Sequence, residues 1–301
     1  MSEPSAVLLL AHGTPDALDE IPAYLRNVTS GRPLPETVVE EIRHRYSLIG
    51  PSPLTSLTLE QGRRVAEMMG MPVYIGMRNW KPYIADAIRT MRADGIKRCS
   101  AICLAPQNSR TSVGLYHRAV FAEAGNMRVD FTEAWATHPL LIDAFAEKLR
   151  AVLKPGTPVV FTAHSVPART LQAGPDAAGD PYETQARETA ALVAGRVGLT
   201  PEGWTFAFQS QGASGGPWIG PTVEETLKSL RQRGAISVIL QPVGFLCDHV
   251  EILYDIDIAF RNFATGLGLE LLRPESLNTS PLLIEALADL ARKGLARLDE
   301  S

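Results

Sequence analysis

The feature that most constrains this chain is a rhythm of short apolar, β-rich runs separated by longer amphipathic stretches. In the first half the runs are Val7 to Ala11, Val73 to Gly76, Ala101 to Ala105 and Val129 to Trp135. In the second half they are Pro158 to Ala163, Thr205 to Phe208, Ile236 to Leu240 and Leu269 to Leu272, with helical segments such as Tyr182 to Val197 and Thr222 to Arg233 between them. A run that is apolar at nearly every position must be covered on both faces, and segments whose apolar residues recur at three and four supply the covering helices. The pattern predicts an α/β fold, doubly wound twice over: two Rossmann-like domains, each a parallel four-stranded sheet flanked by helices. A length of 301 residues fits two domains of about 150 residues each. The expected division is residues 1–145 and 146–301, with the C-terminal helix free to pack back on the first domain.

Composition narrows the function classes. With 45% hydrophobic and 21% charged residues the chain buries real cores, and a net charge of −4 argues against nucleic acid and other polyanions as partners. The three cysteines, Cys99, Cys103 and Cys247, build neither a disulfide framework nor a four-thiolate cluster, so a reducing compartment is expected. Cys99 and Cys103, four apart in a strand, read as core packing, whereas Cys247 adjoins an acidic stretch and is open to metal contact. The first residues carry no basic region, the apolar run Ala6 to Ala11 is short for a signal core, and no stretch reaches the roughly 20 apolar residues that span a bilayer. The expected location is the cytoplasm, with peripheral membrane contact at most.

Two short echoes point to a duplication. Ala11-His12-Gly13-Thr14-Pro15 closes the first strand of one half, and Ala163-His164-Ser165-Val166-Pro167 closes the first strand of the other. Leu104-Ala105-Pro106-Gln107 and Leu240-Gln241-Pro242-Val243 likewise end the third strands. Ligands of open α/β sheets bind beyond the carboxyl ends of the strands, which makes His12, His164 and the segments after Pro106 and Pro242 the places to look for chemistry, facing a shared cleft.

One such segment is strongly acidic. From Asp248 to Asp257 the chain carries Asp248, Glu251, Asp255 and Asp257 and no Lys or Arg, the nearest base being Arg261. On a continuous helix Asp248, Glu251 and Asp255 share one face, where like charges repel unless the face is solvated or holds a cation. The plain reading is a solvated acidic first turn favoured by the helix dipole; the functional one is a site for a divalent cation with imidazole and carboxylate ligands. On helical angles His249 points away from Glu251, which assigns it a supporting role. His164, at a strand end, is either a buried structural residue or a base.

Phosphate loops of the Gly-x4-Gly-Lys type, a Gly-x-Gly-x2-Gly after the first strand and Cys-x2-Cys pairs are all missing, so no nucleotide cofactor is expected. Gly212-Ala213-Ser214-Gly215-Gly216 satisfies the hydrolase elbow pattern, with Asp248 and His249 downstream. Pro217 and Pro221 keep that segment irregular, where an elbow needs a strand, a sharp turn and a helix in direct succession.

Taken in order, these residues resemble the ferrochelatase family, and within it the short coproporphyrin III ferrochelatases. The likeness spans nearly the whole chain. Its anchors are His12-Gly13-Thr14-Pro15, Arg45-Tyr46 with Ile49-Gly50, Ser52-Pro53-Leu54, Leu104-Ala105-Pro106, Ala163-His164-Ser165-Val166-Pro167, Pro217-Trp218-Ile219-Gly220-Pro221, and Pro242-Val243-Gly244-Phe245 running into Asp248-His249-Val250-Glu251.

The resemblance implies that two Rossmann-like domains clasp a tetrapyrrole in the cleft between them and insert Fe(II), a substrate, with release of two protons. His164 and Glu251 match the family's facing catalytic pair, and Asp255 a position of its acidic metal-entry helix. The expected metal contacts are thus His164, Glu251 and Asp255, with His12 either a further iron ligand or a packing residue. Two pyrrole protons must leave as the metal sheds water, so a base near neutral pKa and a carboxylate suit the task, and distortion of the bound ring helps expose the nitrogen lone pairs. Thr14, Arg45, Tyr46, Ser52 and Tyr116 match positions that contact substrate carboxylates or the ring edge. Each also has a structural reading as a cap, a turn or core.

The chain departs from the family pattern at His12, a Tyr in the best-known coproporphyrin enzymes, at Thr29, where a basic residue is common, and at Ala259, where a further carboxylate is expected. With no C-terminal cysteines, no iron–sulfur cluster is expected. The expected product is coproheme, from a monomer that hands it to other enzymes of haem biosynthesis. Protoporphyrin IX is the alternative substrate. A non-catalytic haem or porphyrin carrier, a serine hydrolase using Ser214 and a cobalt or nickel chelatase are the rival classes.

Overall fold

The computed structural model describes residues 3–172, 179–211 and 216–300. Among these residues eight strands form, all in parallel pairs: β1 Ser5–Ala11, β2 Val73–Met77, β3 Arg98–Cys103, β4 Arg128–Thr132, β5 Val159–His164, β6 Trp204–Gln209, β7 Ser237–Pro242 and β8 Glu270–Leu272. Eleven helices accompany them among the described residues: α1 Ile21–Val28, α2 Glu36–Ile49, α3 Leu54–Met69, α4 Ile84–Ala93, α5 Val113–Glu123, α6 Pro139–Arg150, α7 Tyr182–Arg196, α8 Val223–Gln232, α9 Val250–Leu253, α10 Arg261–Gly266 and α11 Pro281–Glu300. No helix among them is long and apolar enough to cross a membrane.

The strands fall in two four-stranded sheets, ordered β2-β1-β3-β4 and β6-β5-β7-β8. The order is the same in both once the second is counted from β5, so the echoed motifs occupy equivalent places. In each sheet the chain leaves the first strand to one side and crosses to the other for the third, which puts the switch point at the ends of β1 and β3, and of β5 and β7.

By contacts the chain divides into one unit of Met1–Ala105, Ser112–Ala134 and Asn278–Ser301, and a second of Pro106–Thr111 and Trp135–Leu277. A division after residue 145 would cut α6, whose buried Leu141, Ile142 and Phe145 lie on a helix packed against α7. The true change of unit therefore falls before this helix, at Ala134 and Trp135. The last helix, α11, packs on β3, β4 and α3 of the first unit. Arg297 clamps Asp130 of β4 through two hydrogen bonds of 2.7 and 2.6 Å, and Arg98 Nη2 donates to the Leu295 carbonyl at 2.8 Å.

Alternation along the strands decides which helix covers which face. In the first unit Leu8, Leu10, Tyr74, Cys99, Ala101 and Cys103 face α4 and α5, packing on Ile84, Ile88, Met91 and Val120. The opposite face meets α3 at Ile75 and α11 at Ser100. In the second unit Val160, Ala207, Val238 and Leu240 pack on Leu227 of α8 and on Ile252, Ile256 and Phe260 of the chain after β7. Helix α8 is closed at its start by a reciprocal cap: Glu225 N donates to Thr222 Oγ1 and Thr222 N donates to the Glu225 carboxylate.

Candidate active site

At the end of the second unit's β5, His164 pairs in register with Gln209 of β6. Gly244, just after β7, lets that strand end close against β5; a Cβ there would stand 2.9 Å from Ala163 Cβ. His164 Nδ1 lies in hydrogen-bond contact with the Ser165 carbonyl. A carbonyl only accepts, so the proton sits on Nδ1 and the neutral ring carries its lone pair on Nε2. That nitrogen is 3.5 Å from Glu251 Oε1, and the His164 and Glu251 side chains keep 33% and 32% of their surface open. Tyr182 Oη donates to the His164 carbonyl at 2.9 Å and fixes the strand end from beneath.

The acidic stretch is not one helix. Helix α9 lasts four residues and passes into a π-helical turn at Asp255–Phe260, then into α10. The expected stack of Asp248, Glu251 and Asp255 on one helical face is thereby corrected, because each carboxylate meets a different partner. Asp248 precedes the helix and accepts from Ser276 Oγ at 2.6 Å, with Arg273 Nη1 at 3.4 Å. Asp257 receives Arg273 through Nε and Nη2, both at 2.7 Å. Asp255 is buried and accepts from Ser210 Oγ. Ser210 holds a positive φ of 61°, a conformation strained for a side-chain-bearing residue, immediately after the end of β6.

The reading of His249 is also corrected. It is the residue before α9 and its backbone is extended, φ −162° and ψ −177°. Helical angles therefore do not apply, and the ring turns back so that Nε2 lies 3.7 Å from Glu251 Oε2. Its Nδ1 donates to the Cys247 carbonyl at 2.9 Å, the same tautomer as His164. Glu251 thus sits between two imidazole Nε2 atoms, while Gln209 Nε2 donates to its backbone carbonyl at 3.0 Å and Thr162 Oγ1 holds Gln209 at 2.7 Å. Cys247 is buried.

The electrostatics follow from this packing. Burial alone would lower the His164 pKa, but the Glu251 carboxylate, the Ser165 carbonyl and Asp255 together outweigh it and raise it to about 8. Burial pushes the Glu251 carboxyl up, yet His164 and then His249 hold it well below the usual carboxylate range. The pair is poised to keep a proton on imidazole and a negative charge on Glu251.

The described groups around the first unit's strand end are mostly hydroxyls, amides and rings, with the guanidinium of Arg78 among them. His12 is exposed, its Nε2 3.1 Å from Tyr24 Oη and both ring nitrogens near Asn79 Nδ2, at 3.0 and 3.2 Å. Gly13 has φ +83°, and a Cβ there would meet Trp80 N at 2.8 Å, so this tight turn admits only glycine. Thr14, 2% exposed, shares a hydrogen bond of 3.1 Å with Tyr46, 4% exposed. Tyr116, 3% exposed, lies in the core cluster under the guanidinium of Arg78, which is 5.2 Å from its ring centroid. Arg45 pairs with Glu41 one turn earlier on α2. Ser52 Oγ is shielded from solvent and has no partner among the described residues. Thr29 closes α1, its hydroxyl donating to the Leu25 carbonyl at 3.0 Å and to that of Arg32 at 2.6 Å. Ala259 falls within the π-helical turn.

Sequence reasoning missed Arg273, Ser210, Gln209, Tyr24, Asn79 and Arg78. The Gln209-Ser210 pair at a strand end was the only local signal, since Arg273 reaches its carboxylates from beyond β8. Ser214 lies outside the described residues.

The ferrochelatase family model matches residues 4–295. A ferrochelatase from Acidobacterium capsulatum is 62% identical, across 100% of this chain and 98% of that protein. A coproporphyrin III ferrochelatase from Geobacillus kaustophilus is 34% identical, across 96% and 95%. Among solved structures, the cobalt complex of the sirohydrochlorin chelatase SirB from Bacillus subtilis subspecies spizizenii shares the fold, with a TM-score of 0.56 at 12% identity over 99% of this chain and 98% of that one. The chain belongs to the ferrochelatase family and is an enzyme that inserts ferrous iron into a porphyrin.

Proposed function

We propose that this enzyme inserts Fe(II) into coproporphyrin III to give coproheme, with His164 as the first proton acceptor and Glu251 as its charge partner. The observation that carries the proton role is the ring's orientation: with Nδ1 committed to the Ser165 carbonyl, Nε2 is the nitrogen that carries the lone pair in the neutral form, 3.5 Å from the Glu251 carboxylate that stabilises the charged form once a proton arrives. Metal insertion replaces two N–H bonds of the porphyrin with bonds to iron, so two protons need acceptors. One passes to His164 Nε2, where Glu251 stabilises the resulting imidazolium. Glu251 then offers a path to His249 Nε2, which accepts in the same manner, and the two imidazoles account for both protons. Asp255, held by Ser210, adds negative charge that favours an approaching cation.

The remaining assignments belong to binding. Thr14, Tyr46 and Ser52 supply hydroxyls to substrate carboxylates, Arg45 a guanidinium, Tyr116 a ring edge and His12 a contact to metal or macrocycle. Coproporphyrin III is favoured over protoporphyrin IX by two things: similarity to relatives bearing that name, at 32 to 34% identity, and a first-unit strand end rich in hydrogen-bond donors. The chain acts as a monomer in the cytoplasm and passes coproheme to a later enzyme.

Anaerobic turnover with Fe(II) and equal concentrations of the two porphyrins, followed by loss of porphyrin fluorescence, tests the substrate. Faster metallation of coproporphyrin III is expected, and faster metallation of protoporphyrin IX refutes the assignment.

A further inference from the structure

We propose that Arg78, which none of the family motifs quoted above includes, binds a carboxylate of the porphyrin and is a specificity-determining residue of this enzyme. The proposal rests on the reading that the substrate is a porphyrin carrying propionates.

Arg78 is the first residue after β2, and its backbone N–H donates to the Ala11 carbonyl at 3.0 Å, so it stands at the carboxyl end of the sheet beside the end of β1. The Gly13 turn closes on the same segment, a Cβ at Gly13 meeting Met77 Cβ at 3.2 Å and Trp80 N at 2.8 Å. Asn79, the next residue, holds His12. Arg78 therefore belongs to the strand end that carries Thr14.

Its side chain is half-buried, and Nε is shielded from solvent with no hydrogen-bond partner among the described residues. No described carboxylate lies within ion-pair distance of it. The charge is permanent, because arginine does not lose its proton in proteins. The groups nearest to it are neutral: burial raises the Tyr116 phenol above the usual tyrosine range and pushes the Cys103 thiol up to about 12. The face of Tyr116 gives the guanidinium partial support by cation–π attraction. That contact covers one face of the guanidinium and uses none of its in-plane N–H donors, which are the ones that match a carboxylate. Arg45 shares the shielded Nε but differs in having a carboxylate, Glu41, paired with its Nη2.

A half-buried guanidinium with free in-plane donors is costly to a fold unless an anion arrives. Propionates are the anions that this substrate brings. A porphyrin with four of them presents more carboxylates to such a cation than one with two, which gives Arg78 a means of discrimination as well as of anchoring.

The test compares wild type, Arg78→Gln and Arg78→Lys, with melting temperature confirming that each is folded. Dissociation constants are measured by porphyrin fluorescence for coproporphyrin III, for protoporphyrin IX and for coproporphyrin tetramethyl ester, which lacks carboxylates. A lost charge-assisted hydrogen bond weakens binding about ten- to a hundredfold. The expected result for Arg78→Gln is that loss for coproporphyrin III, a change within about twofold for the ester, and partial recovery in Arg78→Lys. The rate at saturating porphyrin should stay within a few fold of wild type. Unchanged affinity for both free-acid porphyrins overturns the proposal, as does an equal loss for the ester, which would mark a packing role. The substrate reading is judged separately, on wild type alone. If wild type prefers protoporphyrin IX, that reading falls, and Arg78 is then judged by its effect on the affinity of that two-propionate porphyrin.

Discussion

The two sheets have the same strand order, and each puts a histidine at the end of its first strand, yet the surroundings of the two histidines differ in kind. His164 is framed by a carboxylate and a backbone carbonyl. The partners found for His12 are a phenol and an amide. The duplicated scaffold explains why a histidine side chain lies at both strand ends; the charge placed beside one of them explains why that one is suited to proton chemistry. The second unit concentrates acid–base groups, and the first concentrates hydroxyls and a guanidinium suited to carboxylates. Scaffold and chemistry are separable here, as expected where function is set by the residues at strand ends rather than by the fold.

The sharpest way to break this contrast is to remove each histidine in turn. A positioned base contributes roughly 10²- to 10⁴-fold to rate, so His164→Ala should lower iron insertion by about a thousandfold while porphyrin binding, read by fluorescence, persists. His12→Ala should lower insertion by less than about tenfold. Equal losses would show that the two strand ends share the proton work. A smaller effect sharpens the other side of the comparison. Tyr46→Phe deletes the hydrogen bond to Thr14, a neutral bond of about 1 kcal/mol. It should weaken porphyrin binding severalfold and leave the rate at saturation unchanged. A drop in that rate with affinity intact would place Tyr46 in the chemistry instead.

How much of this was legible before folding follows from the range of the interactions involved. The inner strands β1, β3, β5 and β7 could be read because both their faces are buried, which favours apolar residues at consecutive positions. Segments Tyr182 to Val197 and Thr222 to Arg233 form helices within a residue or two of their expected ends, because their three-and-four spacing is a local property. Pairing His164 with Glu251 needed the family likeness, since nothing local joins residues so far apart in the chain. His249 was misjudged because its orientation depends on where α9 begins, and an extended residue just before a helix breaks the angular argument. The acidic stretch looked unrelieved because Arg273, its counterion, comes from beyond β8 and Ser210 from the end of β6. Periodicity carries no information about such partners. That the C-terminal helix could pack back on the first unit was expected, but not the contacts that hold α11 there, with Arg297 reaching Asp130 and Arg98 the Leu295 carbonyl across long sequence separations.

The central claim is that Glu251 sets His164 to its task, and its most direct test is the pH dependence of insertion in wild type and Glu251→Gln. In the free enzyme His164 titrates at about 8, above the roughly 6.5 of an unperturbed imidazole. Its charged form therefore stabilises the fold below pH 6.5, and that contribution fades as pH rises through 8. Proton acceptance needs the neutral form, so kcat/KM in wild type should rise with pH about a midpoint near 8. Glu251→Gln removes the main support of the charged form and leaves burial, which lowers the pKa, so the midpoint should fall by at least about one unit, alongside a large loss of maximal rate. A midpoint that stays near 8 in Glu251→Gln would contradict the account.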